Sequence, residues 1–369
     1  MKTIPEIAER KKGMIGDTYP RFRAGVVHAS PVFLDREATI DKLGKIVKKA
    51  KEQGADIVVF PESFVPAFPL WCIVYAPIDQ HDFYKNLFDH SILIPGPAFS
   101  RLADIAKSQK IFLSVGVTEK SDYSMGAMWN TNLLFDRSGA LINRHRKIMP
   151  TWAEKLIWAL GDGSQLRPAR TEIGNIGTLI CGENTNPLCR YALLAQGEQV
   201  HISTYPPAWP FQRGGNAQGY DVKKLNYLRA AGHSFEGKVF NLVSSGVLDQ
   251  DAIGKIARGN DAIKEFLEKS ARPSSFITGP NGEQIAEIAG EEGIAYADID
   301  VSQSIIPKQA QDIVGYYNRF DIFQLKINQT PHRPITRYER EASAPATMDS
   351  DIWNSENAGE ERDTEEGGK

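Results

Sequence analysis

Three residues of this chain pair a reactive side-chain type with a place at the end of an apolar run. Glu62 follows Ile57-Val58-Val59-Phe60-Pro61. A carboxylate just past a buried strand is partly desolvated, which raises its pKa and suits it to act as a general base. Taken alone, it reads more readily as a satisfied strand-end carboxylate. Lys147 closes Arg144-His145-Arg146-Lys147, which by itself is an ordinary solvated basic face. Cys181 ends Gly177-Thr178-Leu179-Ile180 and is followed by Gly182 and a helix. Backbone N–H groups at such a turn can bind an oxyanion, and a nearby helix N-terminus favours thiolate. A cysteine there is otherwise a buried, inert one. Jointly the three supply a nucleophile, a base and a point cation.

Short strands and amphipathic helices must position these groups. Phe22 to Ala29 reads as a first strand. A helix capped by Asp35 follows, with Ile40, Leu43, Val47 and Ala50 at helical spacing, and Gly54 ends it. Ala55 to Phe60 and Ile111 to Val117 read as strands around a helix from Phe99 to Gln109. Trp129 to Phe135 and Leu141 to Arg146 flank the turn Asp136-Arg137-Ser138-Gly139, a hairpin signal. The second half repeats this grammar. Gly174-Asn175 reads as a turn before the strand Thr178 to Ile180, Pro187 to Gln196 as a short helix, and Val200 to Ser203 as a strand. A helix from Asp221 to Gly237 and strands at Lys238 to Ser245, Ser275 to Ile277, Ile285 to Ile288 and Ile294 to Ile299 complete it. Strands and helices interleaved throughout predict an α/β fold with helices on sheet faces. No composition break divides the body, so one large domain is expected over 21–300, after an N-terminal extension over 1–20.

Composition excludes several classes. The chain has 369 residues, 41% hydrophobic and 24% charged, enough for a large core. No apolar run reaches the ~20 residues of a membrane span, and none follows the first twelve residues as a signal peptide would require. The three cysteines fit neither a disulfide framework nor a zinc knuckle. The seven histidines lack metal-ligand spacing, and no Walker loop, dinucleotide fingerprint or Gly-x-Ser-x-Gly elbow is present. Net charge is -3, and residues 339–369 hold ten acids against three bases. Those residues read as an acidic disordered tail, and the near-neutral body offers nothing to nucleic acid. A cytoplasmic enzyme with no nucleic-acid or membrane partner is expected.

In order and context, Glu62, Lys147 and Cys181 resemble the Glu-Lys-Cys triad of the nitrilase superfamily. Phe60-Pro61-Glu62, His145-Arg146-Lys147 and Cys181-Gly182-Glu183-Asn184 look like the three family motifs. Ala195-Gln196-Gly197-Glu198-Gln199-Val200-His201 and Gly315-Tyr316-Tyr317-Asn318-Arg319-Phe320-Asp321 look like the nitrilase branch. The resemblance covers roughly residues 20 to 325. It implies a four-layer α-β-β-α sandwich with the triad at strand ends, and a second glutamate, matched by Glu154, that holds Lys147 charged and steers water. Glu183 fits a structural ion pair, while Cys72 and Cys189 fit packing.

The implied activity is hydrolysis of a nitrile to an acid and ammonia, with cyanide hydration or hydrolysis and amide hydrolysis as alternatives. A catalytically idle family member is the remaining alternative, against which the intact triad argues. Cys181 attacks, Glu62 moves its proton, Lys147 stabilises developing charge, and the Gly182 N–H assists. Every hydrogen moved is a proton, so no cofactor and no metal is expected. Trp152, Tyr205 and Trp209, with Phe64 and Trp71, are candidates to line the pocket or to belong to the core. His28, His145 and His201 read as hydrogen-bonded structural residues. The branch also implies a homo-oligomer, a dimer or larger, up to stacked spirals. Two features fit that: an inserted loop at 209–219 displaying Trp209 and Phe211, and an extension over 301–338. In the latter, Val314, Tyr316, Tyr317, Phe320, Ile322, Phe323 and Leu325 should be buried against the body or a neighbouring subunit.

Overall fold

The computed structural model describes residues 19–209 and 220–335. The expected acidic tail, Phe211 with the rest of its loop to 219, and all but the last two residues of the 1–20 extension lie outside the described residues. In chain order the elements begin with β1 (Arg21–His28), α1 (Arg36–Glu52), β2 (Ile57–Val59), α2 (Trp71–Val74), α3 (His81–His90), β3 (Ile92–Leu93) and α4 (Pro97–Gln109). Next come β4 (Phe112–Lys120), β5 (Met128–Phe135), β6 (Leu141–Arg146), β7 (Ala169–Thr171), β8 (Gly174–Ile180), α5 (Pro187–Leu194) and β9 (Val200–Tyr205). The last are α6 (Val222–Gly237), β10 (Phe240–Ser245), α7 (Gln250–Ala257), α8 (Asp261–Glu268), β11 (Ser275–Thr278), β12 (Gln284–Ile288), β13 (Gly293–Asp300) and α9 (Ile305–Ala310).

The strands form two sheets. One runs β13-β1-β2-β4-β5-β6 with β3 beside β4, and the other runs β12-β11-β10-β9-β8-β7. In the first, β2 lies parallel to β1 and β4, with Val26 opposite Val59 and Ile57 opposite Phe112. In the second, β8, β9 and β10 are parallel, with Ile180 opposite Thr204. Alternation along each strand divides the apolar side chains between two faces. Ala24, Val26, Ile57, Val59 and Phe112 meet Ile176, Val200, Ile202, Phe240 and Leu242 in the layer between the sheets. On the outer face of the first sheet, Val27, Val58, Leu113 and Val115 pack on Ile40, Leu43 and Val47 of α1 and Leu102 of α4. On the outer face of the second, Leu179 packs on Ala192 and Leu193 of α5, and Val243 on Ala230 of α6. The molecule is a single-domain α-β-β-α sandwich, as expected.

Local chemistry explains the elements that frame the site. Asp35 accepts from Ala38 N at 3.0 Å and starts α1. Burial of Ile40, Leu43 and Val47 then contributes roughly 1.5–3 kcal/mol each. Gly116 on β4 is fixed by a close approach, since a Cβ there would lie 2.2 Å from Pro61 O and 2.8 Å from Glu62 Cα. The sheet thus presses directly on the segment carrying Glu62.

Several expectations need correction. Gly174 and Asn175 are not a turn. They begin β8, paired with Thr171 and Arg170 of β7, and the reversal falls at Glu172-Ile173. Trp209 is buried against Phe68, with ring centroids 6.4 Å apart, rather than displayed. Of the two covers expected for the apolar extension, the body leaves much of it open, for Tyr316 is 66% and Phe323 70% exposed.

Candidate active site

The motif residues meet where β2, β6 and β8 end. Glu62 follows β2, Lys147 follows β6, and Cys181 follows β8, opening a short 3-10 turn over Cys181–Thr185. Lys147 is 1% exposed, and its Nζ donates to Glu62 Oε1 at 2.8 Å and to Glu154 Oε2 at 2.7 Å. Glu154 is buried, its Oε2 also accepting from Thr151 N at 2.9 Å, so it is no surface carboxylate. A carboxylate oxygen of Glu62, one of Glu154 and the Cys181 sulfur all lie within 4.8 Å of one another.

Three residues beside the motifs occupy the left-handed region although none is glycine: Ser63 at φ 46°, Trp152 at φ 45° and Cys181 at φ 53°. Such conformations cost of order 1–3 kcal/mol each and persist only where surroundings impose them. At Ser63 the hydroxyl is tied to Ala67 O at 3.1 Å and Thr118 Oγ1 at 2.8 Å. At Cys181 the tie is Asn184, whose Nδ2 donates to Cys181 O and Leu179 O, both at 3.1 Å. Asn184 Oδ1 in turn meets His201 Nε2 at 2.9 Å, and Glu198 bridges His201 Nδ1 at 2.6 Å and His233 Nε2 at 2.8 Å. Glu183 joins two strand ends. Its Oε1 accepts from Ile148 N at 2.6 Å, and its Oε2 accepts from Ile180 N at 2.7 Å and faces His145 Nε2 at 2.9 Å.

Electrostatics assign the protons. Burial raises the Glu62 pKa to about 7, with the Glu154 charge pushing the same way and Lys147 opposing. Burial also pushes the Cys181 thiol well above its ordinary range, reinforced by Glu62 and opposed by Lys147. Desolvation beside the carboxylates thus outweighs the cation and favours the thiol, the form from which Glu62 would take a proton. Burial works against the Lys147 charge, but Glu154 and Glu62 outweigh it and hold its pKa well above the ordinary value. For Glu183, burial is likewise outweighed, here by His145 and two backbone N–H groups, and its pKa is lowered.

The remaining expected residues divide. Gly182 lies against Thr151, whose Oγ1 would be 2.9 Å from an added Cβ. Tyr205 is buried in the cluster that Cys181 touches, and its hydroxyl has no partner among the described residues. Trp152 is 59% exposed, while Phe64 and Trp71 are core residues. Trp209 shares an apolar cluster with Ala153, next to Glu154. His28 is buried, with Nδ1 3.0 Å from Ser245 O. Sequence reasoning missed Asn130, whose Nδ2 donates to Glu62 Oε1 at 2.7 Å and whose carbonyl accepts from Lys147 N at 2.8 Å. The signal was there: Asn130, Thr131 and Asn132 are consecutive polar residues in a strand buried on both faces, where each needs a partner.

Among the described residues, two groups have donors close enough for a metal ion: Glu198 with His201 and His233, and Glu62 with Glu154 and Cys181. In the first, both Glu198 oxygens are taken by the histidines, and in the second the carboxylates hold the Lys147 ammonium. A thiol, a base near neutrality and a fixed cation in one buried cluster can add sulfur to an electrophilic carbon and return a proton to its heteroatom.

The sequence profile described as Carbon-nitrogen hydrolase matches residues 23–306. A nitrilase of Bacillus sp. strain OxB-1 is 35% identical over 335 residues, covering 90% of this chain and 95% of its own. A nitrilase of Paraburkholderia phymatum is 31% identical, covering 85% and 88%. An aliphatic nitrilase of Rhodococcus rhodochrous is 32% identical, covering 85% and 84%. Among solved structures, Nit3 of Saccharomyces cerevisiae, a member of branch 10 of the nitrilase superfamily, superposes with a TM-score of 0.62 at 19% identity, covering 81% of this chain and 97% of that one.

Proposed function

The chain belongs to the carbon-nitrogen hydrolase family, and from that premise we propose that it is a nitrilase, converting an organic nitrile and two waters to a carboxylic acid and ammonia. The observation that carries the reading is the buried Lys147 ammonium held between Glu62 and Glu154, with the Cys181 sulfur beside both carboxylates. Above pH 7 Glu62 is ionised and takes the thiol proton as the sulfur bonds to the nitrile carbon. The proton passes to nitrogen, giving a thioimidate, while Lys147 and the Gly182 N–H stabilise charge developing there. Water, oriented by Glu154, adds to the thioimidate carbon, the C–N bond breaks and ammonia leaves. A second water cleaves the thioester, and the proton returns to sulfur. Glu62 Oε2 and Glu154 Oε1 have no partner among the described residues, which leaves each carboxylate one oxygen for water or substrate. Ammonia release over aliphatic, arylacetic and aromatic nitriles, cyanide and the matching amides tests the reading. Turnover of organic nitriles is expected, and activity confined to amides or to cyanide would overturn it.

The catalytic domain in this reading is 21–300, and the extension over 301–338 is a contact between copies of the chain. Tyr316, Tyr317, Phe320, Ile322 and Phe323 are all more than half exposed. So dense an apolar surface is rare on a monomer and supports a dimer or larger. No helix among the described residues is long and apolar enough to cross a membrane.

A further inference from the structure

Arg229 stands beside the site without a part in the mechanism above. It lies on α6, where its neighbour Ala230 packs with Tyr205, Val243 and Phe276 in the cluster that Cys181 also touches. Its Nε donates to Thr185 Oγ1 at 2.7 Å, its Nη1 to Asn226 Oδ1 at 3.2 Å and its Nη2 to the Tyr220 hydroxyl at 3.0 Å. All three acceptors are neutral. Several other half-buried arginines pair with carboxylates, Arg190 with Glu236, Arg137 with Asp56, Arg144 and Arg146 with Glu119, whereas Arg272 donates to the backbone carbonyls of Ser270 and Leu267. Among the described residues Arg229 has none, and two of its five N–H groups, one on each terminal nitrogen, remain unassigned. A second polar group points to the same ligand: the Tyr205 hydroxyl is buried without a partner. The Arg229 charge acts on Cys181 and Tyr205 alike, lowering both pKa values against the larger upward push of burial.

We propose that Arg229, with Tyr205, forms a subsite for an anionic group, and that the preferred substrate is a short nitrile bearing a carboxylate at its far end. A guanidinium fork with one N–H free on each terminal nitrogen matches a carboxylate in two parallel charge-assisted bonds. The Tyr205 O–H supplies a third donor. Thr185, whose hydroxyl holds the guanidinium, ends the turn that Cys181 opens, and at ~2 Å per residue the two backbones are about 8 Å apart along that turn. Allowing for the bonds at either end, a chain of roughly two to four carbons between nitrile and carboxylate spans that gap. The added positive charge also offsets the two carboxylates that flank Lys147, which would otherwise repel an anionic substrate.

This subsite rests on the nitrile reading, and the test separates the two. Ammonia release from cyanoacetate, 3-cyanopropanoate and 4-cyanobutanoate is compared with that from alkanenitriles of the same length, with the matched carboxylated and neutral amides run beside them. The full-length enzyme should favour at least one carboxylated nitrile over its neutral partner by ~10-fold or more in kcat/KM, the scale of a charge-assisted hydrogen bond. Arg229→Gln should lose at least ~10-fold of that preference, chiefly through KM, and Arg229→Lys should retain part of it. Raising ionic strength should raise KM for the carboxylate and not for the neutral nitrile, a readout that needs no variant. Equal wild-type rates on both partners, or an Arg229→Gln loss shared equally by both, would make Arg229 a structural strut and overturn the subsite. A preference for carboxylated amides with no nitrile turnover would keep the subsite and sink the nitrilase reading.

Discussion

At the scale of single residues, burial pushes both Glu62 and Cys181 toward their neutral forms but to different degrees. With Glu62 at about 7 and the thiol well higher, the ground state above neutrality is a carboxylate beside a protonated sulfur, poised for transfer on attack. The pH dependence follows with a definite sign. Glu62 accepts a proton only when ionised, so kcat/KM on an uncharged nitrile should fall about tenfold per unit as pH drops below 7. A flat profile from pH 5 to 8 would assign the base elsewhere. Iodoacetamide should abolish activity by labelling Cys181, which is only half-buried and has Glu62 beside it as a base, ahead of the buried Cys72 and Cys189. Cys181→Ala should have no turnover. Lys147→Met removes the cation and leaves Glu62 and Glu154 facing each other uncompensated, so turnover should drop at least ~10²-fold. Glu154→Gln keeps the shape but not the charge, and a covalent adduct on Cys181 should accumulate in intact-mass spectra. Full activity in that variant would remove Glu154 from the mechanism.

At the scale of elements, Glu183 has the clearest consequences, because it fastens the end of β6 to the end of β8 and so fixes Lys147 relative to Cys181. Glu183→Ala leaves two backbone N–H groups and His145 Nε2 without an acceptor. It should cost roughly 1–3 kcal/mol of stability or more, the range for leaving buried donors unsatisfied, and lower turnover as well. Its folded pKa lies below the usual carboxylate value, so the stabilisation is present above that usual value and is lost as pH falls through the lowered one. The gap between wild type and variant in thermal melts should therefore narrow with acidification below pH 5, and a constant gap would contradict the assignment. Legibility in the sequence varied along the same elements. The strands before Glu62 and Cys181 were plain because apolar runs buried on both faces end abruptly in polar residues, and the strand before Lys147 because the turn Asp136-Arg137-Ser138-Gly139 announces its hairpin. The β7–β8 hairpin was misread because Gly174-Asn175 has turn chemistry, yet β7 pairing draws both residues into a strand. Helices α3, α7 and α8 went unseen although Asp249 and Asn260 cap the last two, since these are short segments outside the sheet pattern. No spacing rule could announce the positive φ of Ser63, Trp152 and Cys181, or the Glu198 bridge between two histidines, because tertiary contacts impose them.

At the scale of the whole molecule, the surface after α9 poses a problem of solubility that a second copy would solve. Tyr316, Tyr317, Phe320, Ile322 and Phe323 fall within eight residues and stay exposed. Residues of this stretch, Ile313 and Phe323 among them, border a groove of about 590 Å³ with Leu188 and Tyr191 of α5. α5 follows directly on the turn that Cys181 opens, so a contact made here bears on the nucleophile's support through Asn184 and Arg190, whose Nη1 donates to Asn184 O at 2.9 Å. Assembly and activity should then change together. Light scattering at micromolar concentration should report a dimer or larger for the full chain. A chain ending at Ile313 should be both smaller in assembly and less active, by ~10-fold or more if the Cys181 turn loosens. One ending at Tyr338, which removes ten acids and three bases but none of the apolar stretch, should keep both properties. A fully active monomer, from either the whole chain or the one ending at Ile313, would refute the coupling between this surface and the site.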